Sequence, residues 1–290
     1  MNQPEIQEYA APTTVREAVE LLARGEATIL AGGTDLMVQG ESGRVRYQPL
    51  LLNVRRIAEM TGVRVEGDQL RLGALTTITE LEENPLIQEH LPLLVRAADV
   101  FASPQIRNAA TVGGNICNAS PAGDTLVPLL VLNAEVELAA WDGGTVVTRR
   151  LPLQDFFAGP GRTHRQPHEL LTAIHVPLPP AGFVAWFEKF GTRPALDIST
   201  VSVAIGGVLT DRAFSDVRVA FGSVGPTPYR ATATAAALEG KPLDEVTIAA
   251  AATAAKEEVH PIDDARASAW YRHELIANLT KKVLRHVTAA

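Results

Sequence analysis

Two pairs of adjacent glycines carry the clearest chemical signal in the chain. They are Gly32-Gly33, within Ala31-Gly32-Gly33-Thr34-Asp35, and Gly113-Gly114, within Thr111-Val112-Gly113-Gly114-Asn115. Adjacent glycines let the backbone curl tightly and bring its N–H groups close to an anion. Each pair is followed by a hydroxyl or amide side chain, Thr34 or Asn115, that can hydrogen-bond. The pairs lie about 80 residues apart, so two such turns could hold one diphosphate from both sides. A cofactor with a pyrophosphate is the first expectation. Taken alone, one Gly-Gly-Thr is more often a plain turn. No GxGxxG or GxxxxGK[ST] pattern is present, which leaves a Rossmann site and a P-loop poorly supported and a flavin bound by another route open.

The elements that must position these turns can be read from pattern. Thr14-Val15-Arg16-Glu17 has the form of a capping box, and Val15, Ala18, Val19 and Leu22 recur at helical spacing up to Gly25. Ala27 to Ala31 reads as a buried strand and Leu36 to Gln39 as a helix start, so the first turn sits where amides and helix dipole favour an anion. Pro49 to Val54 reads as a second strand. Val63 to Leu72 reads as a hairpin turning at Gly67-Asp68, and Glu135 to Arg149 as another turning at Asp142-Gly143-Gly144. Thr77 opens a short helix, and Leu86 to Phe101 is expected to be largely helical. The second glycine pair falls in a long stretch rich in Asn, Ser, Pro and Gly, Ser103 to Gly123, read as an irregular functional segment. After a Pro-rich joint at Pro177–Ala181, strands are expected at Phe183–Phe190, Ser199–Leu209 and Asp216–Val224. Helices follow at Ala231–Leu238, Asp244–Val259 and Ser268–Thr288.

The fold class expected is α+β. Residues 1–177 form one domain, divided into an N-terminal α/β subdomain at 1–58 and a second subdomain at 59–177, and residues 178–290 form a C-terminal domain of antiparallel sheet plus helices. A chain of 290 residues with ordinary apolar content can build full cores, and a net charge of −7 argues against nucleic acid as a main partner. The single cysteine, Cys117, permits no internal disulfide and builds no cysteine-ligated cluster alone, which suits a cytoplasmic location. Met1 to Ala11 lacks the apolar stretch of a secretory signal, and no run reaches transmembrane length. His164, His168 and His175 straddle a Pro- and Gly-containing loop, so no metal site is expected from them.

With the flanks included, the signal sharpens. Leu30 to Leu36 and Ser103-Pro104-Gln105-Ile106-Arg107-Asn108-Ala109-Ala110-Thr111-Val112-Gly113-Gly114-Asn115-Ile116 resemble the two FAD-pyrophosphate segments of the flavin subunit of molybdenum hydroxylases. That family includes the medium subunit of aerobic carbon monoxide dehydrogenase and the FAD part of xanthine dehydrogenase. The resemblance continues through Ala119-Ser120-Pro121-Ala122-Gly123-Asp124, Gly225-Pro226-Thr227-Pro228-Tyr229-Arg230-Ala231 and Ala269-Trp270-Tyr271-Arg272, nearly the whole chain. It implies a two-subdomain FAD-binding fold of the VAO/PCMH type followed by the C-terminal flavoprotein domain.

The resemblance also implies a set of FAD-binding residues. Ile29, Leu30, Ala31, Gly32, Gly33, Thr34, Asp35 and Leu36 belong to the first segment, and Thr111, Gly113, Gly114 and Asn115 to the second. Asp124 matches a carboxylate that contacts the cofactor's hydroxyls, with an N-cap role for the next helix as the alternative. Phe101 matches a phenylalanine stacked on adenine, or is a core side chain at a helix end. Leu171 matches a position touching the cofactor, and Lys189 a lysine near the flavin that would favour its reduced anion. Arg193, Pro194, Ala195, Leu196, Asp197 and Ile198 resemble a mobile loop over the isoalloxazine, with Ile198 shielding the ring. Arg107 either pairs with phosphate or braces the loop through its carbonyls. Cys117 reads as a small structural thiol, and Tyr271 and Arg272 as packing within the C-terminal domain.

The function implied is electron transfer within an oxidoreductase. A molybdenum cofactor large subunit would oxidise the substrate, a [2Fe–2S] small subunit would relay electrons, and this chain's FAD would pass them to NAD or another acceptor. A dimer of heterotrimers is the assembly implied. Thr34-Asp35 stand where the carbon monoxide branch has His-Ser, and one cysteine excludes the four-cysteine cluster of another branch. A stand-alone FAD-dependent NAD(P)H reductase and a flavin-free scaffold are the competing readings. No protein general base is expected, because the flavin carries the chemistry.

Overall fold

The structure, a computed structural model, describes residues 6–193 and 196–289. The capping box forms as expected: the Thr14 hydroxyl accepts the Glu17 N–H, and the Glu17 carboxylate accepts the Thr14 N–H. The helix Val15–Leu22 buries Ala18, Val19 and Leu22 on one stripe. It lies between the strands Glu8–Ala10 and Ala27–Leu30, and the helix Leu36–Glu41 follows the latter. Both strands pair in parallel with the central Leu50–Asn53, which needs crossover helices of this kind.

A five-stranded antiparallel sheet comes next, in the order Val63–Glu66, Gln69–Gly73, Leu170–Pro177, Glu135–Trp141, Val146–Pro152. Both expected hairpins are present. Gly67 turns at φ 64° in the first, and in the second the Asp142 carboxylate accepts the Gly144 and Thr145 amides. Short helices fill the long excursion between strands. Leu86 to Phe101 is not one helix. Pro92 supplies no N–H, and the chain restarts there, giving Pro85–His90 and Pro92–Asp99. The Ser103–Gly123 stretch is also more regular than its composition suggests. Pro104–Arg107 is capped by the Ser103 hydroxyl and Val112–Asn118 by the Thr111 hydroxyl.

The last part is a sheet in the order Phe183–Phe190, Val201–Thr210, Ala213–Gly222, Tyr229–Arg230, with Lys241–Pro242 pairing the far end of Ala213–Gly222. The helices Thr232–Leu238, Glu245–Glu258 and Ala269–Ala289 cover one face. Strand alternation separates the two faces. Val201, Val203, Ile205, Val219 and Phe221 enter a core shared with these helices. Ala204 and Ala220 face the other way, into the larger core of the preceding elements. Small residues matter there: a Cβ on Gly222 would stand 2.9 Å from Val127 Cγ2, and one on Gly206 3.0 Å from Val131 Cγ1. The helix Leu126–Val131 therefore lies directly on the sheet.

Candidate functional site

A cleft of about 720 Å³ opens beside the larger core, with Leu196, Asp197 and Ile198 from the last part of the chain on its border. That is within the ordinary range for a ligand site, roughly 300–1,000 Å³. Of the expected site residues, Ile29, Ala31, Gly32, Gly33, Thr34, Asp35, Leu36, Phe101, Thr111, Gly113, Gly114, Asn115, Asp124, Leu171 and Ile198 all line it. Leu30 and Lys189 do not. Leu30 lies beneath the first turn, its Cδ1 3.2 Å from where a Gly33 Cβ would stand.

The first turn leaves the strand Ala27–Leu30 and enters the helix Leu36–Glu41. Gly33 takes φ 76°, a left-handed conformation natural to glycine. The N–H groups of Gly32, Gly33, Thr34 and Asp35 have no acceptor among the described residues. They form a set of unspent donors along the cleft, the chemistry a diphosphate requires.

The second glycine pair works differently from expectation. It occupies the first turn of the helix Val112–Asn118, and its amides are already committed. Val112 N–H donates to Thr76 O at 2.9 Å, Gly113 N–H to Ala74 O at 2.9 Å, and Gly114 N–H to Thr111 Oγ1 at 3.0 Å. Gly113 is required by a close approach between protein segments: a Cβ would stand 2.7 Å from Ala74 O. What this helix offers the cleft is side chain. Asn115 accepts from Thr125 Oγ1 through its own Oδ1 at 2.7 Å, and its amide nitrogen has no acceptor among the described residues.

The two segments touch directly. A Cβ on Gly32 would stand 2.1 Å from Ala109 O. Asn118 bridges them further, donating to Asp35 Oδ2 at 3.0 Å and accepting from Gln39 Nε2 at 2.9 Å. Burial pushes the Asp35 carboxyl up from its ordinary pKa. Arg46 and Arg165 also line the cleft. Gln39, Arg46, Asn118 and Arg165 escaped the sequence reading; only Asn118, one helical turn beyond Asn115, carried a positional hint. Cys117 is accessible along the cleft, and surrounding protein pushes its thiol pKa up to about 11.

Asp124 is not an N-cap: Thr125 precedes Leu126–Val131 and no side chain caps that helix. Instead the carboxylate accepts from Lys189 Nζ at 2.7 Å and from Ser199 Oγ at 2.5 Å. Burial raises its pKa, and the lysine and serine oppose that shift. Lys189 also donates to Val100 O at 2.9 Å and Asp197 O at 3.1 Å. It is a buried cross-link, and it ties the segment before Ile198 to the cleft wall. Leu196, Asp197 and Ile198 border the cleft, with Ile198 about half exposed, while Pro194 and Ala195 lie outside the described residues. Arg107 takes the bracing role, though toward another loop. It donates to Asp99 O at 3.2 Å and Phe101 O at 3.0 Å and pairs with Glu82. Phe101, followed by Ala102 at φ 37°, is thereby fixed at the cleft edge. Arg272 is buried, paired with Asp264, and bonded to Thr200 O and Ser223 O within the second core. Among the described residues no group of acidic, histidine or cysteine side chains could hold a metal ion, and no helix is long and apolar enough to cross a membrane.

Comparison with known proteins agrees with this geometry. Residues 4–179 match the FAD binding domain in molybdopterin dehydrogenase, and residues 186–287 the CO dehydrogenase flavoprotein C-terminal domain. The chain belongs to this family of flavoprotein subunits, the FAD-binding components of molybdenum hydroxylases. It is similar to the xanthine dehydrogenase FAD-binding subunit of Escherichia coli O157:H7, 37% identical over 97% of this chain and 96% of that one. It is also similar to the carbon monoxide dehydrogenase medium chain of Hydrogenophaga pseudoflava, 32% identical over 96% and 95%. The solved carbon monoxide dehydrogenase from that organism superposes with a TM-score of 0.93 at 33% identity, covering 100% of this chain and 99% of the other. The cofactor is accordingly FAD, and the chain is a component of an oxidoreductase.

Proposed function

We propose that this chain is the electron-transfer subunit of a molybdenum-containing hydroxylase. It takes electrons from a [2Fe–2S] small subunit, behind which a molybdenum cofactor large subunit oxidises the substrate, and passes them to NAD or another acceptor. The observation that carries this reading is the row of unspent amides at Gly32–Asp35, lining the same cleft as Asn115. It is a holder for a diphosphate. FAD supplies the two-electron chemistry when bound. The chain's own residues do the rest. The Gly32–Asp35 amides and the Asn115 amide take the diphosphate and ribityl oxygens, and Thr34 adds a hydroxyl. Phe101 offers a face to the adenine, and Leu171 packs on the cofactor. Lys189 holds Asp124 and the backbone of Asp197 in place, which sets Ile198 over the entrance as a barrier to the acceptor.

The division at 177/178 fits this reading, because one family match ends at residue 179 and the other begins at residue 186. The relatives named above are subunits of multi-chain dehydrogenases, which supports partners here. The test is purification of the tagged chain from its native cell at low salt. Equimolar FAD with co-purifying molybdenum and iron–sulfur chains is the expected result, at a mass of two heterotrimers. A lone yellow protein that reduces dyes with NADH would establish the stand-alone reductase instead. A colourless chain would point to a scaffold.

A further inference from the structure

We propose that Thr172, gripped by the Glu137 carboxylate, is a positioning residue for the FAD cleft. The bond between them fixes a β-bulge from which Ala74, and through it the helix carrying Asn115, is hung. The inference rests on the cleft being the FAD site.

The strand Leu170–Pro177 shifts register against Glu135–Trp141 between Leu171 and Ala173, so Thr172 is the extra residue of a bulge. Bulges gather beside functional sites because they re-aim a side chain or end a pairing. Thr172 is 3% exposed. Its hydroxyl lies 2.8 Å from Glu137 Oε1 and 3.3 Å from Glu137 O. A hydroxyl has one proton, and the shorter contact takes it to the carboxylate.

From there the connection runs through backbone. Thr172 O accepts the Ala74 N–H at 3.0 Å, and Ala74 O accepts the Gly113 N–H at 2.9 Å. Gly113 approaches Ala74 so closely that a Cβ on it would stand 2.7 Å from Ala74 O and 2.8 Å from Ala74 Cβ. The height of the Val112–Asn118 helix, and hence of Asn115, is therefore set by Ala74. Leu171, Ala74 and Leu75 line the cleft beside it.

Glu137 is itself fixed from behind. His175 Nε2 lies 3.0 Å from Oε2, and an Arg71 guanidinium nitrogen lies 3.7 Å from Oε1. None of Arg71, Glu137 and His175 lines the cleft. The hydrogen bond from His175 leads the causes that hold the Glu137 carboxyl down at about 2, so the grip on Thr172 is that of an ionised carboxylate. His175 finds its use here as a brace.

The test is a titration of the purified, FAD-stripped chain with FAD, read by quenching of flavin fluorescence. Val matches Thr in shape and lacks the hydroxyl; Ser keeps the hydroxyl and lacks the methyl. T172S is expected to bind within about twofold of the unaltered chain and T172V about tenfold more weakly. Equal binding by T172V overturns the proposal. So does a T172S as weak as T172V, since that would make packing the cause. If T172V does not fold, E137Q decides. It is expected to weaken binding about tenfold, and unchanged binding overturns the proposal. Failure of the unaltered chain to bind FAD would instead remove the assignment of the cleft.

Discussion

Asn115 holds Thr125 with one end of its amide and leaves the other to the cleft, so the two halves of one side chain can be tested apart. An Asn115→Asp substitution keeps the acceptor that Thr125 uses and replaces the free donor with a negative oxygen. Against a diphosphate, that exchange of attraction for repulsion should weaken FAD binding by about tenfold or more. The melting temperature of the flavin-free chain should move little. Retention of stoichiometric flavin by the variant would show that Asn115 does not meet the phosphates. The residue scale also shows where sequence was informative. The glycine pairs and Asn115 stood out because their types are unusual at those spacings, and Asp124 only through the family resemblance. Arg46 and Arg165 did not, because an arginine in a loop looks the same whether it faces water or a cleft.

At the scale of elements, strand and helix positions were largely legible because the apolar periodicity is regular and the caps are explicit, as at Thr14-Glu17 and Thr77-Glu80. The Ser103–Gly123 stretch was misread because Asn, Ser and Gly have low helix propensity, and packing on Ala74 and Thr76 overrides it. This changes what a substitution there does. Gly113→Val reads from sequence as a clash with phosphate in an otherwise folded protein. The structure places the new Cβ 2.7 Å from Ala74 O, so the helix itself must shift. Loss of flavin should come with a clear fall in melting temperature, checked by circular dichroism with and without added FAD. The neighbouring sheet gives a pH dependence with a definite sign. Glu137 ionises at about 2 in the fold against an ordinary 4.5. Its contribution is complete above the ordinary value and is lost as pH falls from there toward 2. Denaturant midpoints measured downward from about pH 5 should therefore drop more steeply in the unaltered chain than in E137Q.

At the scale of the molecule, the cleft is lined from two parts of the chain: Gly32 to Asp35 from the first, Leu196 to Ile198 from the segment after the strand Phe183–Phe190. Whatever fastens the cores together therefore shapes the cofactor site. The resemblance placed Lys189, Asp124 and the segment up to Ile198 beside the cofactor, but the fastening itself was not legible, because its residues are far apart in the chain and ordinary in type. Lys189 is one fastener, reaching Asp124 and Val100 O from the strand Phe183–Phe190. Arg96 is another. From the helix Pro92–Asp99 it donates to Phe187 O at 3.0 Å, and its guanidinium lies 3.3 Å from the centroid of the Trp186 ring. His286, on the last helix, stacks on Trp186 at 4.3 Å with an interplanar angle of 16°. Arg96 is exposed, so its cation–π contact contributes about 0.5–1 kcal/mol and the hydrogen bond about 1 kcal/mol, and Arg96→Ala should cost the joint about 1–2 kcal/mol. Each core stays intact, since neither loses a buried apolar group. The loss should therefore appear as a loss of coupling. In the unaltered chain, Trp fluorescence, far-UV circular dichroism and flavin release should follow one transition with rising denaturant. In R96A, flavin release and the Trp186 signal should move to lower denaturant and separate from the loss of secondary structure. Coincident transitions at an unchanged midpoint would mean that the other contacts, Lys189 with Asp124 and Arg218 with Val131 O among them, hold the cores in register without Arg96.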